Sequence, residues 1–341
     1  MPFPRFYGLP VVSVLGAMLM SGCGSLDIHL HCENGDTFCV GLVTDAGGID
    51  DNAFNTSAWA GVRQSEAALN AWTAYLESTD SGEFDVNIGR FAADGFDVVV
   101  SAGYALNEAT VTAAGNYPDT DFIGVDQSND GSLPNLTSLV FREDQAGFLA
   151  GALAAMMSKS GTVAAVLATN QAPGVVAFKE GYEVGAKYID PNVTVISTYH
   201  PGGVETAFTD PEWGAAAARD AIESGADVLF GVGGTTGNGA IIETAAHEGA
   251  YCIGVDSDQW YSLPEAHPCL ISSAMKMIAP GVFDLIEAAK EGTFPRGTYY
   301  GEIGIAPYHD FDALIPESVK TKIEELEQNL ADGTISTGYT P

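Results

Sequence analysis

Positive charge is what this chain most lacks. Only 13 Lys and Arg stand against 45 Asp and Glu in 341 residues, which leaves a net charge of −32. Charged residues together make up 17%, below the ~25% of an ordinary globular protein, so the imbalance reflects missing cations rather than surplus anions. A polyanion would be repelled over most of such a surface. No stripe of Lys and Arg with interleaved aromatics overrides this, and nucleic acid is excluded as a partner. The acidity serves solubility first and adaptation to salt second. Cysteine is also sparse. There are five, no C-x-x-C, and none of the six His stands at ligand spacing from them, which argues against a zinc site. No Ser or Cys nucleophile is matched with a His base, since His200, His247, His267 and His309 are scattered. The Gly-rich run Gly231 to Gly239 satisfies neither phosphate motif: no Lys follows Gly239, and Thr236 takes the last glycine position of G-x-G-x-x-G. No catalytic residue, cofactor or metal site is expected, and the chain is not read as an enzyme.

What is present begins with an export segment. Arg5 supplies a short positive region, and Phe6 to Met20 form an apolar run too short to span a membrane comfortably. The run ends in Leu19-Met20-Ser21-Gly22-Cys23, which resembles the lipobox of bacterial lipoproteins. That resemblance implies a signal peptide over residues 1–23, lipid on Cys23, and a soluble domain tethered outside the cytoplasm to the cell membrane. No second span follows. Residues 24–36 are polar and read as a linker. Removing Cys23 leaves Cys32, Cys39, Cys252 and Cys269, which allow three disulfide connectivities. Cys32 with Cys39 and Cys252 with Cys269 would each close a short loop and suit an oxidising compartment.

From Cys39 onward, short apolar runs alternate with helix-length amphipathic stretches. The runs predict strands at 39–43, 74–77, 98–102, 122–125, 163–168, 193–197, 228–232, 253–255 and 270–273. Helices are expected over 55–70, 144–157, 175–188, 214–224, 240–248 and 280–291, and parallel strands require such crossovers. The length and the 46% hydrophobic content suit two α/β units, each a doubly wound parallel sheet, meeting near residue 142. No internal repeat is visible. A charged amphipathic helix and tail occupy 317–341.

Ligand sites in such sheets lie beyond the carboxyl ends of the strands, and the residues there are acidic or Gly-rich. The most informative segment runs from Thr44 to Asn55, with Asp45, Asp50, Asp51 and Phe54 in one strand-to-helix turn. Carboxylates accept hydrogen bonds from vicinal hydroxyls, adjacent glycines allow close backbone approach, and Phe54 offers a stacking face. Asp50 or Asp51 as helix caps and Phe54 as plain core are the plainer alternatives. The segment resembles the first signature of the basic membrane protein family, purine nucleoside receptor lipoproteins that feed ABC importers. Further blocks match in order: Phe96 to Gly103, Tyr117 to Gln127, Phe141 to Gly151, Phe178 to Gly185, Ala226 to Gly239, Ile253 to Gln259, then Ser273-Ala274-Met275-Lys276.

This resemblance spans roughly residues 38–315. It implies a type I periplasmic-binding-protein-like fold with a hinge-bending cleft, its N-terminal lobe built from 37–142 plus about 252–278 and its C-terminal lobe from 143–251 plus about 279–316. It also implies a ligand set. Phe54 and Phe178 would sandwich a purine, Asn55 and Asp126 would bind near the base, Asp256 and Lys276 would grip the ribose, and Asp45 and Gly233 would line the cleft. An ABC permease is the implied partner. A receptor for a sugar or another polar solute on the same fold is the main alternative. A nucleoside hydrolase is a distant one, because the calcium pattern of such enzymes would place its first Asp on Val43 and misspace Asp45 from Asp50.

Overall fold

The computed structural model describes Cys32 and residues 37–340. The expected signal peptide, the lipidation at Cys23 and the linker apart from Cys32 lie outside the described residues.

Two six-stranded sheets organise the chain. The first contains β1 (Cys39–Thr44), β2 (Trp72–Glu77), β3 (Val98–Ala102), β4 (Asp121–Val125), β5 (Leu136–Val140) and β11 (Gly297–Tyr300), in the order β11-β5-β4-β3-β1-β2 and parallel throughout. The second contains β6 (Thr162–Leu167), β7 (Thr194–Tyr199), β8 (Val228–Val232), β9 (Tyr251–Asp256), β10 (Leu270–Lys276) and β12 (Ile303–Ile305), in the order β12-β10-β9-β8-β6-β7. Only β12 runs antiparallel, against β10. Strands β1, β3 and β8 are buried at every position. Helices cover both faces of each sheet, which is why these strands read as continuous apolar runs rather than as alternation. On one face of the first sheet, Val40, Leu42, Val98 and Ile123 pack with Ala58 and Val62 of the Phe54–Leu69 helix and Val282 and Leu285 of the Ile278–Lys290 helix.

The strand partners overturn the expected allocation of the two returning segments. Residues 252–278 were expected in the first lobe, yet β9 pairs with β8 and β10 with β9, so both belong to the second sheet. Residues 279–316 were expected in the second lobe, yet the Ile278–Lys290 helix packs on the first sheet and β11 extends β5; only from β12 onward does this segment join the second lobe as expected. Periodicity reveals strands but not their neighbours. The helix settles the matter by contact: a Cβ on Gly61 would lie 2.5 Å from the Ala279 carbonyl oxygen, so the two helices of the first lobe meet backbone to backbone.

The chain therefore crosses between lobes three times, at 141–142, at 277 and at 301–302. The crossings run side by side, with Gly301 N donating to Val140 O at 2.9 Å and Met277 N to Glu302 O at 2.9 Å. The Glu317–Ala331 helix packs Val319, Ile323 and Leu326 into the core of the second lobe. Both local cysteine pairs are bonded, Cys32 with Cys39 and Cys252 with Cys269, the latter joining the starts of β9 and β10.

The lobes also repeat one another, contrary to the sequence reading. β4 and β9 hold the same place in their sheets, and Ile123-Gly124-Val125-Asp126 matches Ile253-Gly254-Val255-Asp256. Both Asp residues sit in the left-handed region, at φ 57° and 66°. Gly103 after β3 and Gly233 after β8 form a second such pair, at φ 111° and 107°.

Candidate functional site

The carboxyl ends of both sheets face one cavity between the lobes, the place where such sheets bind ligands. From the first lobe come Asp45 after β1, Tyr104 after β3, Asp126 after β4, and Phe54 at the start of its helix. The second lobe contributes Gly233 after β8, Asp256 at the end of β9, Lys276 at the end of β10, and Phe178. Seven of the eight expected ligand residues thus meet in one place. Asp256 reaches it from the second lobe, not from the first as expected.

Asn55 is the exception and does not line the cavity. As the second residue of its helix it turns away from Phe54, and its Nδ2 donates to Asp45 Oδ1 at 2.9 Å. Gly47 N donates to the same oxygen at 3.0 Å. Asn55 therefore positions Asp45. Asp51 is buried and caps the helix, accepting from the backbone N–H groups of Ala53, Asn55 and Thr56. Its own edge still reaches the cavity wall.

Lys276 organises the electrostatics. Its side chain is 3% exposed, and its Nζ lies 2.5 Å from Asp126 Oδ2, 3.4 Å from Asp256 Oδ1 and 3.7 Å from Glu143 Oε1. Burial works to lower its pKa, but the three carboxylates outweigh burial and raise it, so the ammonium persists. One cation cannot satisfy three anions. Burial pushes Asp256 up to about 6 although Lys276 pulls it down. Burial, reinforced by the Asp126 charge, pushes Glu143 up to about 8. Asp45 is likewise raised by burial. The Asp126 Oδ1 atom is buried with no hydrogen-bond partner, the condition of an acceptor awaiting one.

The aromatic side chains stand around the same ammonium, with Nζ 4.8 Å from the Phe54 ring centre and 5.7 Å from that of Phe178. Phe178 is held from behind by the edge of Phe230, ring centres 5.9 Å apart. Its helix, Pro173–Ile189, crosses the Glu143–Met157 helix on glycines: a Cβ on Gly147 would lie 2.2 Å from Phe178 O, and one on Gly181 would lie 2.0 Å from Asp144 O. Sequence reasoning missed Tyr104, Phe208 and Glu143. Tyr104 opens a three-residue 3-10 turn and Phe208 caps a four-residue helix, both too short for periodicity to mark a facing direction. Glu143 opens its helix one residue before the expected start at 144, and no sequence signal set it apart.

The site combines flat apolar faces, carboxylate acceptors and one ammonium donor, suited to a polar ligand with hydroxyls and a ring. A family model, ABC transporter substrate-binding protein PnrA-like, matches residues 38–328. The "ABC transporter nucleoside-binding protein BmpA" of Lactococcus lactis is 28% identical, over 86% of this chain and 87% of that one. The "CD4+ T-cell-stimulating antigen" of Listeria monocytogenes is 27% identical over 99% of both chains. Among solved structures, an ABC-transporter solute-binding protein from Aeropyrum pernix superposes with a TM-score of 0.77 at 23% identity, covering 88% of this chain and 92% of that one. The two-lobed architecture is thus shared with solute-binding proteins, and the chain belongs to the PnrA-like family of ABC transporter substrate-binding proteins.

Proposed function

We propose that this protein captures a purine nucleoside by closing its lobes on it and delivers it, without chemical change, to the permease of an ABC importer. It would work outside the cytoplasm, held at the membrane by lipid on Cys23. The observation that carries the reading is the joint lining of one cavity by Phe54, Phe178, Asp126, Asp256 and Lys276. A base needs flat faces with a few polar groups at its edge, and a ribose needs acceptors for its hydroxyls beside a donor. The description of the Lactococcus relative as nucleoside-binding supports the same ligand class.

Closure draws support from hydrogen bonds between the lobes. Asn238 Nδ2 donates to Asp51 O at 2.8 Å and Ser262 Oγ to Asn52 O at 2.7 Å, both across the cleft. A ligand touching both lobes adds to these few contacts and shifts the population toward the closed form. Calorimetric titration with adenosine, guanosine, inosine, cytidine and ribose tests the reading. Sub-micromolar binding of a purine nucleoside with ribose inert is the expected result. Ribose binding with nucleosides inert would transfer the site to a sugar, and silence from folded protein would reject both.

A further inference from the structure

Tyr104 carries an unexplained polar atom. Its hydroxyl is buried and has no hydrogen-bond partner, an arrangement that is costly in a folded protein unless something else supplies the bond. The residue is fixed from its backbone. Gly103 N donates to Val125 O at 3.1 Å, and Gln127 Nε2 donates to Gly103 O at 3.0 Å. The corner cannot retreat either, because a Cβ on Gly103 would lie 2.8 Å from Asp45 Oδ2. The second lobe has Gly234 at the matching place, so the hydroxyl is a feature of one wall only.

Position gives the hydroxyl its meaning. Tyr104 lines the inner cavity together with Lys276, Asp126 and Asp256, and it also lines an adjoining outer cavity with Asp45, Asp80 and Phe208. Lys276, Asp126, Asp256, Phe54 and Phe178 belong to the inner cavity alone. Tyr104 therefore stands where the two cavities meet, contributed by the first lobe to a cavity it shares with Lys276 of the second. Burial and the nearby Asp45 charge both raise its pKa, so it stays a donor across the physiological range.

We propose that Tyr104 is a specificity-determining residue, its O–H donating to an acceptor atom on the outward edge of the bound ligand. This rests on the inner cavity being the ligand site proposed above. A ring nitrogen, carbonyl or hydroxyl oxygen would serve as that acceptor. An apolar edge would leave the hydroxyl unpaired and be rejected, since a site built to hydrogen-bond discriminates against analogues lacking the partner.

The test is Tyr104→Phe, compared with the wild-type protein by calorimetry against adenosine, guanosine, inosine, cytidine and ribose, with urea unfolding of both ligand-free proteins alongside. The variant should bind the preferred probe about tenfold more weakly, the usual scale of one lost hydrogen bond. Ligand-free, it should be as stable as wild type or more so, because the removed hydroxyl makes no bond within the protein. Unchanged affinity for every probe would overturn the proposal, and so would a ligand-free loss of stability, which marks a structural role. Ribose as the preferred probe would sink the nucleoside reading while leaving the affinity ratio to judge Tyr104. If no probe binds the folded wild type, the ligand-site reading fails and the proposal falls with it.

Discussion

Replacing Lys276 with Met should produce a loss of stability that depends steeply on pH. The substitution keeps a long unbranched stem among Phe54, Phe141 and Phe178, so packing changes little. What it removes is the ammonium facing Asp126, Asp256 and Glu143 at 2.5, 3.4 and 3.7 Å. Removing one partner of a buried ion pair costs about 3–5 kcal/mol, and at 3% exposure solvent screening offers little relief. The sign of the pH effect follows from the raised carboxyls. Asp256 moves from 3.8 to about 6 and Glu143 from 4.5 to about 8, so the folded protein holds these protons more tightly than the unfolded chain does. Stability from that source is full below the ordinary values and lost as pH rises through the folded ones. Deleting Lys276 removes the charge that pulls both groups down and so steepens the loss. Urea unfolding should therefore find the variant already weaker than wild type at pH 5, where Asp126 has lost its nearest cation, and weaker still, by about 3–5 kcal/mol, at pH 8.5. An equal loss at both pH values would refute the reasoning, because the carboxylates would not then carry the cost. A loss under about 1 kcal/mol at pH 8.5, the scale of an exposed pair, would mean that water already solvates the cluster.

Three further perturbations probe other parts of the molecule. Phe178→Ala should weaken a purine nucleoside at least tenfold in calorimetric titration, and it should also destabilise the fold by about 3–5 kcal/mol, the cost of truncating a buried Phe; unchanged affinity would remove Phe178 from the sandwich. Gly181→Ala forces the helix carrying Phe178 away from Asp144 O, which a Cβ would approach to 2.0 Å, so melting temperature and affinity should fall together, with an overpacking cost of about 1–3 kcal/mol. A variant that melts like wild type would show the crossing to be slack. Raising NaCl from 0.1 to 1 M shortens the screening length from about 10 Å to about 3 Å, so a chain with net charge −32 should melt at a higher temperature; a flat or falling profile would show that self-repulsion is not a factor in its stability.

The alternation of strands and helices was legible because parallel strands buried on both faces leave unbroken apolar runs, as Val40, Gly41, Leu42 and Val43 do in β1. β5 escaped because Thr137 and Ser138 interrupt its run, although both are buried, with the Thr137 hydroxyl bonded to Pro295 O. β11 and β12 are too short to carry a period. The lobe to which 252–300 belongs could not be read, since pairing is a property of space rather than of spacing. The duplicated Ile-Gly-Val-Asp was legible and overlooked: one copy leads directly to Gln127, the other to Gln259 through two inserted residues. At the site, position after strands marked Asp45, Asp126, Gly233 and Asp256, and the first turn marked Phe54, while Phe178 and Lys276 came from the family resemblance alone; all seven line the cavity. Asn55 misled because adjacent helix positions point some 100° apart, so Phe54 facing the cavity turns Asn55 behind it.

The three crossings between lobes have a consequence for how the protein is made. A chain emerging from its N-terminus has built five strands of the first sheet by residue 140, yet the covering helix begins only at Ile278 and β11 only at Gly297. Until then β5 is an open edge and Val40, Leu42 and Val98 lack part of their cover. The second sheet in turn waits for β12, which follows β11 by two residues. Neither half can finish before 278–305 has emerged, so the two lobes mature together, and cutting the chain between them would yield no self-sufficient fragment.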